Sequence, residues 1–505
     1  IFQERAVNLS NILLQGARYG PDREAIVFED RRLTYSDLNR AVDLAARRLQ
    51  DLGVGPGDRV ALFCENRPAW IVLYYGIVRL GAVAVCVSSA YRSSELAHLL
   101  EDARPSCVIT SEALAPHLPS AQMPPHVKDV VVLERDGAIS GLAERAGPGP
   151  APPVPARDCD GDDPCVILYT GGTTGVPKGA MLTHKNILYT AQNVCHHERT
   201  TAKDRGLCFL PLNHVFAGNH IMNALFYAMG TLVLHKGFDM DEIVSSVEAN
   251  GVTRLYAVPT VYIRFLNNPD CHARLRSVGY SFSAGTSMPA EIVRQWERTF
   301  GLHIHEAYGM TESASLVTFN HRYRHKIGSV GTPAGIVEVR IADAEGRPLP
   351  DGGEGEVLIR GPNVMKGYYD RPEETAEALA GGWLHSGDVG RLDEEGYLHI
   401  VDRLKDMIIT GGLNVYPAEV ENVLYLHEAV EECAVVGLAH DEYGEAVAAF
   451  VRLKQGAAAT DEDLMRFCKE QMASYKAPKK IVFVEEFPRT PQGKLLKREL
   501  RHRSL

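Results

Sequence analysis

In the first half of this chain, apolar residues switch repeatedly between the spacing of a helix and that of a buried strand, and this switching restricts the fold more than any other feature. Leu38, Ala41, Leu44, Ala45, Leu49 and Leu52 fall on one side of a helix that Ser36 can cap and Gly53 can end. A short strand follows at 59–64, then an apolar helix at 70–80, then Gly81 and a second strand at 82–87. Helices that link short buried strands build parallel sheets covered on their faces by helices.

The Pro/Ala/Gly-rich stretch 147–155 reads as a surface linker and leads into a buried-type strand at 165–169. Strand–helix alternation continues to about residue 340, and a strand-rich, Gly/Pro-punctuated section occupies 337–401. After Asp402-Arg403-Leu404-Lys405-Asp406 the texture changes. Helix signals at 417–426, 461–472 and 494–501, with strand signals at 432–436, 446–453 and 481–484, describe a small unit on a short hinge. The sequence therefore predicts an α/β protein. Residues 1–403 form a large N-terminal domain of helix-covered β-sheets with a β-rich subdomain, and residues 404–505 a small mobile α+β C-terminal domain.

Bulk properties exclude several function classes. The chain has 505 residues, with 53 Lys and Arg against 64 Asp and Glu, a formal net charge of −11. That balance argues against a general nucleic-acid or anionic-membrane binder. The 10 cysteines show no paired spacing and read as reduced thiols of a cytoplasmic protein. No signal-peptide pattern opens the chain, and the longest apolar stretch, near 221–234, is too short for a bilayer and carries Asn223. The expectation is a cytoplasmic protein without a transmembrane segment; peripheral membrane contact and a homodimer stay open.

The chemistry concentrates first in Tyr169-Thr170-Gly171-Gly172-Thr173-Thr174-Gly175-Val176-Pro177-Lys178-Gly179. Glycines let backbone N–H groups wrap an anion, threonine hydroxyls donate to phosphate oxygens, and a lysine adds positive charge. Together these suit a polyphosphate. The common NTPase loop needs Gly-Lys-Ser/Thr at a helix start, and here Pro177 precedes Lys178 and Gly179 follows it.

This loop resembles the phosphate loop of the adenylate-forming superfamily, which includes acyl- and aryl-CoA synthetases, peptide-synthetase adenylation domains and beetle luciferases. The resemblance runs in order along nearly the whole chain, with Gly171 standing where the family usually has Ser. It implies that Thr170, Gly171, Gly172, Thr173, Thr174, Gly175 and Lys178 hold phosphates. It implies that His214, in Leu210-Pro211-Leu212-Asn213-His214, gates the ATP and acyl sites. Gly285, Thr286 and Ser287 would pack along adenine and the floor of the acyl pocket. In Tyr308-Gly309-Met310-Thr311-Glu312, the Tyr would stack on adenine, the Thr reach phosphate and the Glu hold Mg²⁺, a hard cation that wants carboxylate oxygen. Asp388 would clamp both ribose hydroxyls, Arg403 contact ribose or phosphate, and Lys405 act as pivot. Gly411 and Gly412 would line the pantetheine tunnel, and Lys494, in Thr490-Pro491-Gln492-Gly493-Lys494, would be the catalytic lysine.

The implied reaction couples a small-molecule carboxylic acid, ATP and coenzyme A, with Mg²⁺, through an acyl-adenylate. The residues expected in the acid pocket, within 215–223, 281–285, 307–310 and 313–316 together with Tyr262, are mostly apolar or small. They suit a medium- or long-chain fatty acid or an aryl or alicyclic acid. Ala307 stands where malonate ligases carry Arg. The rivals are a stand-alone enzyme loading a carrier protein, a luciferase-type oxygenase, and a non-catalytic adenylate-binding homologue.

Overall fold

A computed structural model describes residues 7–119, 123–133, 153–171, 177–286, 288–404, 406–410, 413–440, 443–490 and 495–501. The first long helix spans Tyr35–Asp51 and is capped by Thr34, two residues ahead of the serine that the sequence suggests. The Thr34 hydroxyl accepts the Asp37 amide at 3.1 Å, and the Asp37 carboxylate accepts the Thr34 amide at 3.1 Å. This reciprocal pairing satisfies two donors that a helix start leaves bare, which a lone Ser36 would not do. Leu38, Ala41, Ala45 and Leu49 are buried as the periodicity requires, and Gly53, at φ 78°, turns the chain out of the helix.

The next helix, Pro68–Arg79, is buried at every position. A helix that is apolar all round belongs in an interior. Its one charge, Arg79, has a side chain with no exposure and is held by Asp43 Oδ1 at 2.5 Å and Asn39 Oδ1 at 2.8 Å.

Among the described residues there are four sheets. In the nine-stranded one, strands from Glu24–Phe28 through Thr231–Leu234, Arg205–Cys208, Arg254–Ala257 and Tyr280–Ser283 to Ile304–Tyr308 run parallel, with antiparallel strands added at both edges. The seven-stranded sheet is parallel from Pro164–Gly171 through Val83–Cys86, Arg59–Phe63 and Cys107–Ser111 to Asp129–Leu133. Its other flank, Pro177–Thr183 and Gly367–Tyr368, is antiparallel. A four-stranded antiparallel sheet covers Glu338–Ala342, Gly355–Arg360, Leu384–Leu392 and Leu398–Arg403.

The C-terminal sheet has a core of its own. Ile408, Val420, Val435, Val447 and Leu464 pack together in a cluster drawn wholly from residues after 403. A large N-terminal domain and a small C-terminal domain are thus separate hydrophobic units. Among the described residues no helix is long and apolar enough to cross a membrane; the apolar stretch near 221–234 is divided into helical turns over Phe216–Asn223 and Ala224–Tyr227 and the strand Thr231–Leu234.

Candidate active site

Thr170 lies opposite Lys178 where the strands Pro164–Gly171 and Pro177–Thr183 pair in antiparallel register. The Gly/Thr-rich segment therefore joins the two arms of a hairpin. The helix that follows, His184–Glu198, starts a full strand later and is capped reciprocally by Thr183 and Asn186. That separation explains why the loop lacks the Gly-Lys-Ser/Thr signature: the capping hydroxyl is at Thr183. Gly172, Thr173, Thr174 and Gly175 lie outside the described residues.

The hairpin arms open on a cavity of about 1100 Å³. Thr170, Lys178, Gly285, Thr286 and Gly309 line it, as do His214, Thr311, Glu312, Asp388 and Arg403. The structure thus gathers onto one wall system residues that the sequence scatters over nearly half the chain. Ser287, Lys405, Gly411, Gly412 and Lys494 lie outside the described residues. Thr490, just before Lys494, reaches the cavity wall, and Arg489 pairs with Leu495 across the intervening residues.

Glu312 follows the strand Ile304–Tyr308 in a single tight turn, Thr311–Ser313. Its Oε1 accepts the Tyr368 hydroxyl at 2.9 Å and the Thr170 hydroxyl at 3.3 Å. Lys178 Nζ stands 5.3 Å above the Tyr368 ring, so one tyrosine braces both the acid and the lysine. Burial, and then the Glu312 carboxylate, push the Tyr368 hydroxyl well above its ordinary range, so it stays a donor. Two residues past the turn, Ala314 and Ser315 hold φ of 51° and 98°, a left-handed backbone that brings Ser315 onto the cavity wall.

Asp388 faces Arg403 directly across two antiparallel strands, with Arg403 Nε 3.3 Å from Oδ1. Its Oδ2 accepts the Tyr308 hydroxyl at 2.6 Å. Tyr308 is 8% exposed and is not among the lining residues; burial, and next the Asp388 charge, hold its hydroxyl protonated. Its visible role is to orient the carboxylate. Beside this pair, Glu356 accepts the Gly387 amide at 3.1 Å and pairs with His385 Nδ1 at 2.9 Å.

The apolar part of the wall comes from Leu210, Val215, Phe216, Val258, Ala284 and Met310. Phe216 opens a π-helical stretch, Phe216–Asn223, the kind of widened turn that often marks functional sites. His214 Nδ1 accepts the Phe216 amide at 3.2 Å, which puts the ring proton of the neutral imidazole on Nε2. Beneath this wall Glu198 pairs with His220 at 2.7 Å and with the Tyr256 hydroxyl at 2.6 Å, beside Arg254, all buried. Tyr262, expected on the wall, instead donates to the carbonyls of Leu255 and Phe282 in the core.

Sequence reasoning missed Tyr368, Glu356 and the Glu198 cluster. Tyr368 reaches the site only because its short strand pairs with Met181 and Ala180, a long-range register that no local pattern announces.

The sequence pattern of the AMP-binding enzyme family matches residues 13–369, and that of the AMP-binding enzyme C-terminal domain matches residues 419–494. The chain belongs to the AMP-binding enzyme family. Among its relatives in this family, the feruloyl-CoA synthase of an Amycolatopsis species is 38% identical over 493 residues, covering 96% of this chain and 97% of that protein. The long-chain-fatty-acid–CoA ligase of Bacillus subtilis strain 168 is 35% identical over 526 residues, covering 97% and 94%. The solved anthranilate CoA ligase AuaEII, in complex with anthranoyl-AMP, superposes with a TM-score of 0.93 at 28% identity, covering 99% and 97% of the two chains. These AMP-binding enzymes confirm the resemblance to adenylate-forming proteins that the motifs carry.

Proposed function

We propose that this protein is an ATP-dependent acid–CoA ligase that forms an acyl-AMP, then an acyl-CoA thioester, releasing pyrophosphate and AMP. The observation that carries this reading is the cavity in which phosphate donors (Thr170, Lys178, Thr311), a braced carboxylate suited to ribose (Asp388 beside Arg403) and an apolar wall meet. A carboxylate is a poor acyl donor. Attack of its oxygen on the α-phosphorus of ATP expels pyrophosphate and leaves an acyl group with a good leaving group. The protein's part is to align two anions and offset the charge that develops.

In this reading Asp388 accepts both ribose hydroxyls, while Thr311, Lys178 and the hairpin backbone hold phosphates. Glu312 fits Mg²⁺: it is a carboxylate on the cavity wall, both its hydroxyl contacts fall on the one oxygen Oε1, and a hard cation wants oxygen donors. When bound, the cation would neutralise phosphate charge. Lys494 supplies the mobile positive charge for adenylation, and the small domain, with its boundary at 403/404, rotates about Lys405 so that the CoA thiol approaches past Gly411 and Gly412. The self-contained C-terminal core supports movement as a unit. His214 separates the two substrates.

The apolar wall of Leu210, Val215, Phe216, Val258, Ala284 and Met310 supports an aryl or alicyclic acid or a medium- or long-chain fatty acid. The family's feruloyl and long-chain-fatty-acid relatives span the same choice. The 10 unbonded thiols, mostly buried, suit a reducing cytoplasm.

Acid-dependent pyrophosphate release across fatty, aryl and alicyclic acids, followed by thioester formation with free CoA, tests the reading. Release of ADP in place of AMP would overturn it. So would acyl transfer to a carrier protein but not to CoA.

A further inference from the structure

We propose that Glu297, His303 and His325 bind one zinc-class divalent cation at a site separate from the ligand cavity. Their ligand atoms all lie within 4.8 Å of one another. The two imidazoles address the same carboxylate oxygen: His303 Nδ1 is 2.5 Å and His325 Nδ1 is 3.8 Å from Glu297 Oε1. Bonds of about 2.0–2.1 Å to zinc set the edges of a ligand tetrahedron at about 3.4 Å, so these two separations straddle the required one.

The protonation pattern already suits a metal. His325 Nε2 lies 3.0 Å from the carbonyl oxygen of Ile304, a group that only accepts. The proton is therefore on Nε2, and Nδ1 turns its lone pair toward Glu297. For His303, ligation through Nδ1 needs only a shift of its proton to Nε2. The two rings stack at 4.7 Å and 21°, so both nitrogens approach the carboxylate from one side. The His325 side chain is 6% exposed and the His303 side chain 54%, giving one rigid ligand and one at an open entrance. Two imidazoles and a carboxylate suit zinc better than magnesium or calcium, which prefer oxygen throughout.

None of the three residues lines the cavity, so the cation would brace structure rather than touch substrate. Glu297 is in the last turns of the helix Ala290–Phe300, His303 precedes the strand Ile304–Tyr308, and His325 comes from the segment after Thr318–Phe319. One ion would fasten all three, at the end of the strand opposite Tyr308.

The test is calorimetric titration of the EDTA-stripped full-length protein with Zn²⁺, in buffer saturated with Mg²⁺, with Co²⁺ as an optical probe of coordination. One Zn²⁺ per chain is expected, with a rise in melting temperature on binding. His303→Ala should weaken binding by more than about tenfold, since even loss of an outer-shell partner costs that much. His325→Ala should do the same, and Glu312→Gln should leave binding unchanged. His303 is exposed, so its variant folds. Absence of Zn²⁺ uptake at micromolar concentrations, or wild-type affinity in His303→Ala, would overturn the proposal and leave an ordinary imidazole–carboxylate hydrogen bond.

Discussion

Glu306 is a carboxyl group with no good place for a charge. It is 5% exposed, and among the described residues its Oε1 has no hydrogen-bond partner. Burial pushes its pKa from 4.5 up to about 8. Its folded value lies above its unfolded one. Below pH 4.5 the group is protonated in both states and neutral toward folding. As pH rises from there toward about 8, only the unfolded chain gains the ionised form, so stability falls and then levels off. Glu306→Gln should remove this slope. Its stability relative to wild type should rise between about pH 5 and about pH 8, by at most roughly 5 kcal/mol, in denaturant melts at the two pH values. Gly309 constrains the site sterically: a Cβ there would lie 1.7 Å from the Ser315 carbonyl oxygen. Gly309→Ala should cost about 1–3 kcal/mol or more and displace the Thr311–Glu312 turn, read as a lower melting temperature together with lost acid-dependent ATP–pyrophosphate exchange. At this scale the sequence was legible where chemistry is concentrated in short runs, as at Gly309-Met310-Thr311-Glu312, all on the cavity wall, though Tyr308 beside them is set back from it. It was illegible where a residue works by reaching across the fold. Tyr368 and Glu356 have unremarkable local surroundings, and only pairing of distant strands brings them to Glu312 and Gly387.

Among the elements, the strand–helix alternation was readable because burial imposes its period on apolar residues. The helix predicted at 70–80 is Pro68–Arg79, and the strand predicted at 165–169 lies within Pro164–Gly171. Boundaries moved where side-chain caps decide them. Thr34 prevails over Ser36 because Asp37 completes the pairing. The π-helical stretch after Val215 was hidden, since its wider turn breaks the 3.6-residue period by which helices are recognised. Its Gly218 fits because a Cβ would sit 2.8 Å from the Leu212 carbonyl oxygen. Thr183 links two elements, ending one hairpin arm and capping the next helix. Thr183→Ala should lower stability by about 0.5–2 kcal/mol in denaturant unfolding, whereas Thr183→Ser, which keeps the accepting oxygen, should recover most of it. The Glu198 cluster spans a helix end, the π-helix and the strand Arg254–Ala257. Glu198→Ala should therefore cost about 1–3 kcal/mol, because it removes the acceptor shared by His220, Tyr256 and Arg254, while Asp204 still pairs with the Arg254 guanidinium.

At the level of the whole molecule, the change of texture after Asp406 corresponds to a change of hydrophobic core. The proposed division of labour places adenylation under Lys494 and thioester formation after the small domain has turned. Lys494→Ala should slow acyl-AMP formation roughly a hundredfold or more while sparing thioester formation from supplied acyl-AMP. The two half-reactions, assayed separately, check this; equal loss of both would sink it. The direct pairing of Asp388 with Arg403 also bears on inhibition. Arg403 is the last residue of its sheet before the chain enters the small domain. On the proposed rotation, a ribose mimic that engages Asp388 would therefore grip the base of the small domain as well, and a single contact would set both its affinity and the posture in which the enzyme is arrested.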